Sequence, residues 1–121
     1  MIQDLTKLSK LLGHNFAKLE YLRVALRHSS LSVGGPSGSN ERYEFLGDRI
    51  LSLVIAEMLL DKFSNENEVD IANRHTALVR QEAFFRVAKK IDLCNFIDMD
   101  DGTYAKGGRN NPSILSDCCE S

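Results

Sequence analysis

The sequence has no tryptophan, and its only prolines are Pro36 and Pro112. Proline breaks helices by removing an N–H and clashing with the preceding turn, so long helices are free to run between these two. Cysteine is equally scarce: Cys94, Cys118 and Cys119, an odd number with no Cys-x-x-Cys pair. Neighbouring cysteines point their side chains apart and pair poorly. A disulfide framework is therefore excluded, and reduced thiols of a cytoplasmic protein are expected. His14, His28 and His75 stand at no ligand spacing from these cysteines, which argues against zinc. No apolar run approaches the roughly 20 residues of a membrane span, so no membrane partner is expected. Lysines and an aspartate interrupt the apolar residues of the opening Met1–Leu12 stretch, which is not a signal peptide. There is no basic excess: 15 Lys and Arg face 17 Asp and Glu, a net charge of −2. Since nucleic-acid binders are more often basic, the charge total alone argues against RNA.

What remains is a chain of 121 residues, 43% hydrophobic and 26% charged. That suits one compact domain that buries a core without metal or disulfide support. Apolar residues recur at helical spacing, and no alternating stretch reads as a strand, so the expected fold is all-α. Ile2, Leu5, Leu8 and Leu12 predict a short amphipathic helix broken at Gly13. A second helix is expected from about Ala17 to Arg27. Ser32–Ser39 is rich in Gly, Pro and Ser and predicts an exposed, mobile loop. Asn40 is a good cap for a long helix running to about Lys62. That helix carries apolar residues around most of its circumference, from Leu46 to Leu60, which predicts a central helix wrapped by others. A further helix is expected from near Glu68 to Ile91, with a seam of Ile71, Ala77, Leu78, Phe84, Phe85, Ala88 and Ile91. Asp100–Pro112 reads as a loop, and a last helix begins at Ser113.

Glu41, Glu44 and Asp48 lie at i, i+3 and i+7, so one face of the long helix carries all three. Asp117 and Glu120 repeat the i, i+3 spacing on the terminal helix. Were the two helices to pack together, four carboxylates would converge. Hard oxygen donors in that number suit Mg²⁺, with Mn²⁺ a substitute. A two-metal site is one known device for cutting phosphodiesters. Acidic residues at this spacing are, however, usually solvated surface, and periodicity cannot show that two helices meet. Gly47 sits in mid-helix, where it costs about 1 kcal/mol against Ala. A glycine there leaves room for another backbone.

The segment Asn40-Glu-Arg-Tyr-Glu-Phe-Leu-Gly-Asp48 closely resembles the signature of the ribonuclease III family, with Tyr43 replacing the usual Leu. Leu12–Phe16, Ala25–Ser29, Glu68–Val79, Gly107-Gly108 and Ser113–Glu120 resemble further family segments, in the same order. The resemblance spans essentially the whole chain. It implies a helical endonuclease domain that hydrolyses double-stranded RNA, as in rRNA and mRNA processing. Each site of a homodimer cuts one strand, leaving 5′-phosphate and 3′-hydroxyl ends. It also implies roles for individual residues. Glu44, Asp48, Asp117 and Glu120 match the metal-binding catalytic carboxylates. Glu41 and Glu68 match further acids of the cleavage valley, and Phe45 matches the aromatic that inserts into the partner subunit. Arg42, Arg49, Arg74, His75, Arg80, Lys106 and Arg109 flank the acids and are candidate phosphate contacts, though each singly is more simply a solvated helix face.

Besides Tyr43, three further positions depart from the family pattern. Arg27 and Ser29 alter the opening Thr-His-Arg-Ser, and Arg49 replaces the small residue that usually follows the signature aspartate. The family's catalytic domain continues past Ser121, so the chain is expected to be an incomplete domain, without a double-stranded-RNA-binding domain and with a frayed helix end at Glu120. The competing reading is a non-catalytic RNA-binding or ribosome-associated member of the same fold. Such relatives lose acidic residues, whereas every matched acid is present here.

Overall fold

The computed structural model describes residues 4–31 and 34–121. Ile2, and the Ser32-Val33 part of the expected loop, lie outside them. The described residues form seven α-helices and no extended strand: α1 Leu5–Leu12, α2 Leu19–Ala25, α3 Glu41–Lys62, α4 Glu68–Leu78, α5 Gln81–Lys90, α6 Asp101–Ala105 and α7 Pro112–Glu120. The all-α expectation holds.

Local chemistry explains several boundaries. The Asp4 carboxylate accepts from the Thr6 N–H at 2.9 Å to open α1. Gly13 closes it in the left-handed conformation, φ 67°, which glycine adopts without strain. Asn67 accepts from the Asp70 N–H at 2.9 Å to start α4. The Asn111 side chain accepts from both Ser113 and Ile114 to start α7, with Pro112 in its first turn.

Packing the apolar stripes together yields one core. Leu8, Leu22, Leu26, Ala88, Leu93, Phe96, Ile97, Leu115 and Cys118 are buried within it. α5 and α7 form its most extensive helix pair. A short crossing ties α2 to the segment after α5: the Asp98 N–H donates to the Leu26 carbonyl and the His28 N–H to the Asp98 carbonyl, each at 2.9 Å.

Four expectations are corrected. The predicted Glu68–Ile91 helix is two helices, broken at Val79-Arg80, where Arg80 is extended at ψ 150°. No Gly or Pro marks the break. It turns α5 so that Phe84 and Ala88 are buried, while Leu78, at the end of α4, stays exposed. The Asp100–Pro112 segment is not plain loop, because the Asp100 carboxylate caps α6 by accepting from the Thr103 N–H at 2.7 Å. Asn40 makes no capping bond at the start of α3. Its side chain is buried instead, donating to Cys118 Sγ at 3.1 Å.

The fourth correction concerns α3, which is not wrapped. Its neighbours are α4, α7 and the 3-10 turn Gly35–Ser37, and only Leu59 is buried along its length. Phe45, Leu46, Ile50, Leu53, Val54, Met58 and Leu60 are all exposed. One copy of this chain has too few elements to cover a helix that is apolar on nearly every side.

Candidate active site

α3 and α7 cross at Gly47. A side-chain carbon placed there would overlap the Glu120 carbonyl oxygen, with the carbonyl carbon only 2.7 Å away. The missing side chain therefore lets the backbone of α7 lie directly on α3. That fixes the spacing between the acids on either side, Glu44 and Asp48 on one helix, Asp117 and Glu120 on the other. The start of α3 is tied to α7 by the buried Asn40–Cys118 bond. The end of α7 is tied to α2: the Ser121 hydroxyl donates to the Ala25 carbonyl at 2.6 Å. α7 stays helical through Glu120, so the expected fraying at that residue is not seen.

Glu44 and Glu120 feel the charge of the neighbouring acids. Burial raises Glu44 above the ordinary carboxyl range, and repulsion from Asp117, Glu41 and Asp48 adds to the effect. A side-chain interaction between Glu44 and Asp117 raises Glu44 further and lowers Asp117. Burial outweighs both that bond and the opposing field of His28, so Asp117 is also raised. Glu120 is pushed up to about 7, by burial first and then by Asp48, Glu44 and Asp117. The Ser116 hydroxyl, 3.5 Å away, offsets this only partly. Like charges share this small space at a real energetic cost, which a bound cation would remove.

These donors fit a hard divalent cation in chemistry. All are carboxylate oxygens, all are half-buried and open to water, and Mg²⁺ takes a few carboxylates and keeps several waters. Among the described residues, no three Asp, Glu, His or Cys side chains already stand in ligand geometry. The carboxyls are held by Ser116, by Arg49 and by one another, so side-chain rotation has to precede coordination.

Glu41 lies at the rim, exposed but close enough to act on Glu44. Glu68, in the first turn of α4, is exposed and is absent from the charges acting on Glu44, Asp117 and Glu120. One copy of the chain does not bring it into the cluster. Phe45 is 62% exposed and itself lines an open hollow of about 610 Å³, together with Val24, Ser39, Tyr43 and Leu46.

Three residues contribute to the site in roles that the sequence does not show. Asn40 was taken for a cap and is a tether. Ser116 holds Glu120 from one turn back. His28 acts on Asp117 from a ring whose Nδ1 accepts the Ser30 N–H at 3.1 Å, so a neutral His28 carries its hydrogen on Nε2. Of these, only Ser116 left a readable signal, its i, i+4 spacing to Glu120.

Fold and site together define an all-helical domain with an acidic cluster at a helix crossing, the architecture of a helical nuclease domain. The chain belongs to the ribonuclease-III-like family: the family model of that description matches residues 19–121. Ribonuclease 3 of Histophilus somni is 39% identical over 97% of this chain and 51% of its own length. Ribonuclease 3 of Campylobacter curvus is 39% identical over 98% of this chain and 52% of its own length. The chain thus spans about half the length of the curated relatives it matches. The nuclease domain of ribonuclease III from Campylobacter jejuni, described for structural flexibility in a region involved in dimer formation, superposes with a TM-score of 0.90. It is 38% identical, and the match covers 97% of this chain and 80% of that one.

Proposed function

We propose that this chain is the catalytic part of an endoribonuclease that hydrolyses double-stranded RNA with divalent metal ions, acting as a homodimer. One observation carries the reading: the crossing at Gly47 brings Glu44, Asp48, Asp117 and Glu120 into a single cluster. Those four would hold the metal, Mg²⁺ with Mn²⁺ as a substitute. The bound metal supplies an activated water and stabilises charge on the attacking and leaving oxygens. The chain's own residues do the rest. Glu120, pushed up to about 7 by burial and the neighbouring acids, would have to lose its proton to water before it could ligate a cation. The backbone contact at Gly47 sets where α7 carries this carboxyl, and Ser116 holds it in the metal-free arrangement. Glu41 extends the negative field at the rim, and Glu68 remains a proposed contributor only through assembly.

The homodimer reading rests on Phe45. Its exposed ring is part of the wall of an open hollow, so knob and hole share one surface. Under two-fold symmetry, each copy's knob can fill the other's hole. The relatives' names as ribonuclease 3, and the solved neighbour's description by dimer formation, agree with this reading. The three cysteines are free, which fits a reducing, cytoplasmic setting. No helix among the described residues is long and apolar enough to cross a membrane.

The test is cleavage of an end-labelled RNA duplex by the full-length protein at low salt, with Mg²⁺ or with a chelator, beside Asp48→Asn. Cutting that needs metal and vanishes in the variant supports the enzyme. Duplex binding without cutting in the intact protein would point to the non-catalytic alternative.

A further inference from the structure

The acidic cluster already holds a cation of its own. Of the four ion pairs among the described residues, only that of Arg49 involves a cluster carboxylate. Arg49 Nη1 donates to Asp48 Oδ2 at 3.2 Å. The same nitrogen lies 3.5 Å from the Phe45 carbonyl oxygen. The guanidinium carbon stacks 3.9 Å from the centre of the Phe45 ring, one helical turn back. A guanidinium cannot lose its charge in a protein, so this is a permanent positive charge on a carboxylate that a metal would need. Oδ1 and the second lone pair of Oδ2 stay open, but a dication drawn to this carboxylate meets the fixed positive charge of Arg49 beside it. The Arg49 side chain is 61% exposed and that of Asp48 47%, and pairs this open to water are weak enough to exchange. Arg49 also stands where the family pattern usually has a small residue, which would leave this aspartate uncovered.

We propose that Arg49 is a resident counter-cation of Asp48 that competes with a divalent metal for its charge, and that it thereby lowers the metal affinity of the site. The inference rests on reading Asp48 as a metal ligand, as above. Once released from Asp48, the guanidinium still has the Phe45 carbonyl oxygen within reach, one helical turn back, so it stays at the rim of the site. Arg49 is thus a positioning residue that holds the Asp48 carboxylate in its metal-free rotamer.

The test titrates Mn²⁺ into the full-length protein without RNA, following free Mn²⁺ by electron paramagnetic resonance. Helical content of each variant is checked by circular dichroism. Arg49→Ser is expected to tighten Mn²⁺ binding about 2- to 5-fold, the factor that an exposed ion pair is worth. Arg42→Gln removes the same charge from a side chain bonded to the Ser37 hydroxyl at 2.9 Å, and is expected to change binding much less. Asp48→Asn is expected to lose most of the binding. Unchanged or weaker binding in Arg49→Ser, with Asp48→Asn still impaired, overturns the role of Arg49 and leaves the metal site standing. Equal tightening in Arg42→Gln overturns it too, since bulk charge would then account for the effect. Wild-type binding by Asp48→Asn removes the metal-site reading and this inference together.

Discussion

At the scale of single residues, Gly47 and Glu120 form one device. Ala at position 47 would improve helix propensity by about 1 kcal/mol, yet its methyl would meet the Glu120 backbone. Overpacking of this kind costs about 1–3 kcal/mol, so Gly47→Ala is expected to be net destabilising and to lose Mn²⁺ binding. Urea unfolding and metal titration check both, and unchanged values would show that α7 can step away without loss. Glu120 gives a pH prediction. Its carboxyl titrates near 7 in the folded chain against an ordinary 4.5. Between those values the folded state binds more protons than the unfolded one. This residue's contribution is therefore full below about pH 4.5 and is lost as pH rises through about 7. Metal-free Glu120→Gln should show a flatter stability–pH curve across that window and should not cleave RNA. The acids and the glycine were legible in the sequence because their spacing and their oddity can be counted. Arg49 was legible only as a departure, because its partner depends on a rotamer.

At the scale of elements, the decisive feature is how α3 is held. His75 Nε2 reaches the Ser52 carbonyl at 2.8 Å, clamping α4 against the middle of α3. Asn40 fastens the first turn of α3 to α7 through Cys118. Asn40→Ala leaves helix formation intact but removes a buried bond, at a cost of about 1–2 kcal/mol. The expected signature is a matching drop in unfolding free energy together with slower RNA cleavage. A drop in stability with full activity would mean that the tether does not position the acids. Sequence reasoning named Asn40 correctly as the boundary and wrongly as the cap. Asparagine serves either purpose, and the choice lay with Cys118, 78 residues further along the chain. The split between α4 and α5 was illegible for a related reason. No breaker marks Val79-Arg80, and the turn is imposed by burial of Phe84 and Ala88 in the core.

At the scale of the whole molecule, α3 leaves a broad apolar face uncovered, with Phe45 62% and Leu53 71% exposed. Faces of this size on a soluble domain mark interaction surfaces. If Phe45 anchors a two-fold partner, Phe45→Ala should weaken the dimer about ten- to a hundredfold by sedimentation equilibrium. Because the ring is largely in solvent in one copy, each copy should keep its helical content. A dimer that persists would place the interface elsewhere on α3. The sequence by itself determined the helical class, the extent of α3 and the identity of the acids, because helix periodicity and carboxylate spacing are local properties of the chain. Only the tertiary structure decided that α7 lies on α3 at Gly47, that Glu68 stays outside the cluster and that α3 is open to solvent. Those outcomes follow from which distant surfaces fit together, and steric fit between helices is not written in the spacing of either one.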